Sequence, residues 1–151
     1  QKPYYMINKT QIKKLYVIAP AFHATDENIS YIEYVLQGNS FSARDLATKI
    51  YKAAALKYDE AVRKHADAIA VKCVSMADQM NAVKTFAIKY GLMNDYVVYI
   101  ERVAMNIEKF DIRRALHQFT EGAICMYDMR LRAKIDASTG ITIIGGYKNA
   151  V

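Results

Sequence analysis

Residues 130–144 read Arg-Leu-Arg-Ala-Lys-Ile-Asp-Ala-Ser-Thr-Gly-Ile-Thr-Ile-Ile, and the period assigned to them decides between an α+β chain and an all-α one. Arg130 to Asp136 alternate polar and apolar, residues 137–140 are Ala-Ser-Thr-Gly, and Ile141 to Ile144 return to apolar before Gly145-Gly146. A period of two followed by turn formers predicts a β-hairpin over about 130–147. In it Arg130, Arg132 and Lys134 stand in a row on one face, about 7 Å apart, with Leu131, Ala133 and Ile135 on the other. Such a row suits contact with a phosphate backbone, and it equally suits a sheet edge guarded against mispairing.

Residues 11–19 are rich in strand formers and end at Pro20, so they are expected as a strand that joins the hairpin in a small antiparallel β element. Thr25-Asp26 can cap a helix that stops at Gly38-Asn39. The fold class predicted is therefore α+β, mainly α-helical.

The helical part rests on residues 42–90, where neither glycine nor proline occurs. Ser42 and Asp45 have the form of a capping box. Leu46, Ile50, Ala54, Tyr58, Ala61, His65, Ile69, Cys73, Met76, Met80, Val83, Ala87 and Tyr90 then follow at steps of three or four, the spacing of one helix face. A single rod would be roughly 70 Å long, too long for a compact domain of this size. Lys72 interrupts the stripe and Ser75-x-x-Asp78 repeats the capping pattern, so a break is predicted near residue 74. Past Gly91, Tyr96, Ile100, Val103, Ile107 and Phe110 form one stripe, and Ile112, Ala115, Leu116, Phe119, Ala123 and Met126 form another. The phase changes at Asp111, a helix-capping residue type. Two further helices are thus expected, at about 95–109 and 112–129.

A length of 151 residues suits a single domain spanning 1–151, with residues 1–10 and 146–151 as extended arms. A composition of 53% hydrophobic and 24% charged residues argues against wholesale disorder. No run reaches the ~18–20 apolar residues of a membrane span. The net charge of +6 is concentrated in residues 42–90, with nine Lys/Arg against five Asp/Glu. That excess nominates Lys49, Lys52, Arg63 and Lys64, together with the hairpin row Arg130, Arg132 and Lys134, as nucleic-acid contacts.

Candidate chemistry is sparse. His65 and Cys73 are eight apart, as are His117 and Cys125, but eight helical residues span about 12 Å, too far for both to ligate one ion. The two cysteines are expected as small buried thiols in a reducing setting, the cytoplasm or a particle assembled there. His117 and Glu121 are helical neighbours and more readily a surface contact than an acid–base pair. No phosphate loop, nucleophile elbow or metal-binding signature occurs, so no metal, cofactor or catalytic residue is assigned. Tyr4, Tyr5 and Tyr147 lie in the terminal segments and suit a subunit interface. Six methionines within or beside the helical stretches, Met76, Met80, Met93, Met105, Met126 and Met129, are expected to fill core gaps.

Residues 7–16 (INKTQIKKLY) and 42–54 (SARDLATKIYKAA) resemble the start of regulatory proteins from Mu-like phages over less than a third of the chain. Pro20 and the remainder depart from that pattern, and no residue role is carried over from it. The leading expectation is a non-enzymatic structural or assembly protein that self-associates through helices and terminal arms, a viral or phage particle component being one such role. Its rivals are a sequence-tolerant nucleic-acid-binding protein and a small enzyme whose site is assembled from distant residues.

Overall fold

Four helices account for nearly all regular structure in the computed structural model, which describes residues 43–72 and 74–147. In chain order they are α1 (Ala43–Lys72), α2 (Met76–Lys89), α3 (Met93–Ala104) and α4 (Ile112–Thr139). No strand occurs among the described residues, so the α+β expectation is corrected to a mainly α-helical fold. The predicted 11–19 strand, the 25–38 helix, the Ser42 capping box, the 1–10 arm and Cys73 lie outside the described residues. Of the 146–151 arm only Gly146 and Tyr147 lie within them.

The hairpin predicted over 130–147 is absent because α4 continues through its first strand to Thr139. Burial distinguishes the two periods. Leu131 and Ile135 are buried, as either period allows, but Ala133 is exposed, which only the helix explains. Asp128, Leu131 and Ile135 extend the three-and-four spacing already running from Ile112. Arg, Leu, Ala and Lys are strong helix formers, and extending an existing helix avoids the cost of a new nucleus. Gly140, at φ +73°, ends it, its N–H bonding the Asp136 carbonyl at 2.7 Å. The two later helices, expected at about 95–109 and 112–129, in fact span 93–104 and 112–139.

The predicted break near residue 74 is present. Ser75 has extended backbone and its hydroxyl accepts the Asp78 N–H at 3.1 Å, opening α2. Helices α2 and α3 then end alike. Gly91, at φ +75°, lets the Leu92 N–H reach the Ala87 carbonyl at 2.7 Å and its own N–H reach that of Ile88 at 3.2 Å. Asn106, at φ +60°, lets the Ile107 N–H reach the Arg102 carbonyl at 2.9 Å while its own N–H bonds Val103 at 3.1 Å. Both are Schellman terminations, which need a left-handed residue just past the helix.

The described residues divide into two compact units, and α1 and α4 contribute residues to both. One unit includes residues 43–58 and 127–147. Its core is built from Ala47, Ile50, Tyr51 and Ala54 of α1, Leu131 and Ile135 of α4, and Ile143. The other, Asp59–Met126, combines the end of α1, all of α2 and α3, and the start of α4. Phe86, Leu92, Tyr99 and Phe119 are nearly fully buried there, with Tyr99 edge-on to Phe119 at 5.9 Å. The α1 stripe runs in a different phase from the one expected: Ala61 is exposed, while Val62 and Ala66 are buried. Four of the six methionines expected in the core, Met76, Met93, Met105 and Met129, are exposed.

Two outcomes test this fold by chemical denaturation. Leu131→Ala should cost about 2–5 kcal/mol as a buried truncation, whereas Ala133→Glu should stay within about 0.5 kcal/mol as an exposed helical change. Similar large losses at both positions would restore the strand. Asn106→Ala should cost about 1 kcal/mol and Asn106→Gly should be neutral or stabilising, because only glycine takes positive φ without strain.

Candidate functional site

The residues nominated as nucleic-acid contacts are divided between the two units, and two of them, Arg63 and Arg132, pair with carboxylates. Lys49 and Lys64 are exposed and Lys52 is half-buried, all on α1. Arg63 is tied to two carboxylates: its Nε donates to Asp59 at 2.5 Å and its Nη2 to Glu121 at 2.7 Å. Those bonds hold its guanidinium well above the ordinary arginine pKa. Asp59 itself is buried. Glu121 is thereby engaged with Arg63 across the unit, and no bond between Glu121 and its helical neighbour His117 accompanies it.

The three-cation row is lost with the hairpin. On a helix Arg130 and Lys134 share a face, both exposed, while Arg132 points elsewhere, half-buried, and donates to Asp128 at 3.0 Å. Tyr4 and Tyr5 lie outside the described residues; Tyr147 is half-buried. Cys125, expected as a buried thiol, is exposed because α4 turns its Ala123–Ile124 side inward. Among the described residues no group of three His, Cys, Asp or Glu side chains is placed to hold a metal ion.

In the unit holding 43–58 and 127–147, a buried polar cluster joins the two long helices. The Tyr51 hydroxyl donates to Asp128 Oδ1 while Arg132 donates to Oδ2. About two turns along α1, Tyr58 stacks on Tyr127 with ring centroids 3.8 Å apart and planes 4° from parallel. Burial pushes the Tyr127 hydroxyl up to about 12, reinforced by Tyr58, and that hydroxyl has no hydrogen-bond partner. Burial also raises the Asp128 carboxyl above its ordinary pKa, against the opposing pull of Arg132. Tyr51 and Asp128 are buried while Tyr58, Tyr127 and Arg132 are half-buried, and together these groups link the two helices within the unit.

In the Asp59–Met126 unit the polar groups instead line an accessible cleft. Two helical ridges bound it, one from α1 with Arg63, Asp67 and Ala70, the other from α4 with Arg113, His117 and Thr120. Its volume is about 250 Å³. Ala66 and Ala70 leave the space on the α1 side and Leu116 supplies an apolar wall. The residues recur at three-and-four spacing on both helices, which the sequence displays. What hid them was their surroundings, since Arg113 and Asp67 look like ordinary solvated charges until a second helix stands opposite.

Elsewhere in this unit His65 Nδ1 lies 2.9 Å from the Tyr90 hydroxyl, and its ring is 5.3 Å from that of Phe86. Burial, with help from Lys89, depresses the His65 pKa. It packs as the helix-stripe histidine expected from the sequence. The chain matches no known family model, no curated protein and no solved structure.

The raised Asp128 pKa carries a pH dependence of definite sign. The native state binds the Asp128 proton more tightly than the unfolded chain, so stability falls as pH rises from the ordinary carboxylate value, about 3.9, through the higher folded value. The stability of the parent chain relative to Asp128→Asn should therefore decline across that window in paired denaturation curves. An increase would mean that Arg132, and not burial, controls the carboxyl.

Proposed function

We propose that the protein is a non-enzymatic assembly subunit that self-associates through the outer edge of α3, in the cytoplasm or in a particle assembled there. The observation behind this reading is how that helix distributes its apolar residues. Tyr96, Tyr99 and Val103 occupy one flank, with Tyr99 buried. Met93, Val97, Ile100 and Ala104 occupy the adjoining flank at spacings of four, three and four, and Met93 and Val97 are 39% and 44% exposed. The stripe is thus wider than the core it packs against.

A second copy of the chain is the occupant that fits best. The spacing is that of a helix–helix seam, which is self-complementary when two copies meet about a two-fold axis. No charged residue stands in the stripe, so no oppositely charged partner is called for. A specific interface buries upwards of about 1,000 Å², more than four side chains of one short helix supply. Met105 and Ile107, 70% and 61% exposed just past the helix end, are available to extend it.

The nucleic-acid reading is the weaker one on physical grounds. Two of its seven cations, Arg63 and Arg132, are held by carboxylates of the same unit, and a phosphate would have to displace those partners. Sedimentation equilibrium at micromolar to tens of micromolar protein tests the proposal. The parent chain should form a discrete oligomer without nucleic acid, and Val97→Asp should shift it to monomer with its helical circular dichroism unchanged. A monomer at all concentrations, combined with DNA binding that falls steeply with salt, would favour the rival.

A further inference from the structure

We propose that a second copy of the chain docks head-to-tail on this one, with the turn between α1 and α2 of one copy seated in a groove between α3 and α4 of the next. Both features lie in the Asp59–Met126 unit. The turn is an apolar tip: Val71, Val74 and Met76 are 72%, 90% and 56% exposed. Among the described residues the last buried one on α1 is Ala66 and the first on α2 is Val83, so the turn projects beyond the core. A convex patch of neighbouring aliphatic side chains is one that water tolerates poorly.

The groove has the opposite shape. Leu92, Phe119, Gly122 and Met126 line it together with Asp95 and Cys125, around a volume of about 250 Å³. That exceeds the ~150 Å³ of an apolar cavity able to take up benzene. Gly122 keeps the groove open. A Cβ there would stand 3.5 Å from a Leu92 methyl, and a longer side chain would fill the space between the helices.

Charge and distance select the occupant. Asp95 is the charged residue on the groove lining and Lys72 is the cation on the tip. Both are exposed, and neither has an ion pair among the described residues. Asp78 falls on the face of α2 away from Met76, since residues two apart on a helix do not share a face. Asp67 lies a turn below Val71 and lines the α1–α4 cleft. The tip does not reach the groove of its own chain, because the 14 residues of α2 hold the two about 20 Å apart. A knob and a groove at opposite ends of one helix make a heterologous contact, which closes into a ring or continues as a filament. Asp95 and the α3 stripe fall on opposite flanks of the buried Tyr99, so this contact goes beyond the assembly surface on α3 and uses none of its residues. It is small, with a Kd on the order of 0.1–1 mM, and forms above the concentrations at which the α3 oligomer is tested.

Cys125, exposed on the groove, is the reporter. A full-length Cys73→Ser, Val97→Asp variant keeps Cys125 as its single thiol and lacks association through α3. Its rate of reaction with a limiting aromatic disulfide reagent should fall about two- to fivefold between 10 µM and 2 mM protein, as the grooves fill. Val74→Asp should abolish that fall with helical circular dichroism unchanged. Lys72→Glu and Asp95→Lys should each reduce it, and the two combined should restore it. The proposal is overturned if the rate is independent of protein concentration, if the fall survives Val74→Asp, or if the double charge variant behaves as the single ones do. A parent chain that is monomeric at tens of micromolar, with Cys125 still protected at millimolar protein, would keep this contact and overturn the α3 reading; an oligomer at tens of micromolar without that protection would do the reverse.

Discussion

One carboxylate connects the end of α3 to the start of α4. Asp111 accepts the N–H groups of Arg113 and Arg114 at 3.0 and 3.3 Å, satisfying donors that a helix start leaves open, and its own N–H donates to the Tyr99 hydroxyl at 3.3 Å. Tyr99 is the one fully buried residue of α3 and lies beside both Phe110 and Phe119. The cap therefore sets the rotational phase of α4 against the aromatic core. Everything farther along α4 in the Asp59–Met126 unit inherits that phase, including which residues line the cleft and which, like Cys125, are left outside the core.

Much of the chain's charge is internal to the fold. Arg63 serves Asp59 and Glu121, Arg132 serves Asp128, and Arg102 and Arg114 both lie within 4 Å of Glu108. Pairs as exposed as Arg102 and Arg114 contribute little stability. The pairing at Asp59 and Asp128 is different, because those carboxylates are buried and losing a charged partner there is costly. These four arginines and four carboxylates cancel in number, so the net charge of +6 is carried by the other residues of the chain.

The α3 stripe and the α1–α4 cleft also differ in kind. The stripe is apolar and broader than its supporting core, a pattern that water tolerates poorly and another helix relieves. The cleft is lined by both charged and apolar residues, Arg63, Asp67, Arg113 and His117 beside Ala66, Ala70 and Leu116. The two features draw on separate residues.

Helix boundaries were legible in the sequence because the groups that set them are local. Ser75 with Asp78, Gly91 and Asp111 each act on backbone within a few residues, and each is recognisable from residue type and spacing. Period and phase were less legible. Leu131 and Ile135 share a face in a strand and in a helix alike, so only the exposure of Ala133 separates the two, and exposure is a property of what packs nearby. The α1 stripe shows the same limit, since steps of three and four lead from Tyr58 to Ala61 or to Val62 with nearly equal support. The choice of Val62 comes from the core that forms around it. Long-range partners were not readable at all: nothing near Arg63 names Glu121, 58 residues away, or near Tyr51 names Asp128, 77 residues away. The sequence by itself determined where α2 and α4 start and where α2 stops, because those caps are local chemistry, but not where α3 and α4 end. Tertiary structure decided which faces are buried, which charges are paired and which hydroxyls are left unpaired, because those depend on residues brought together only by folding.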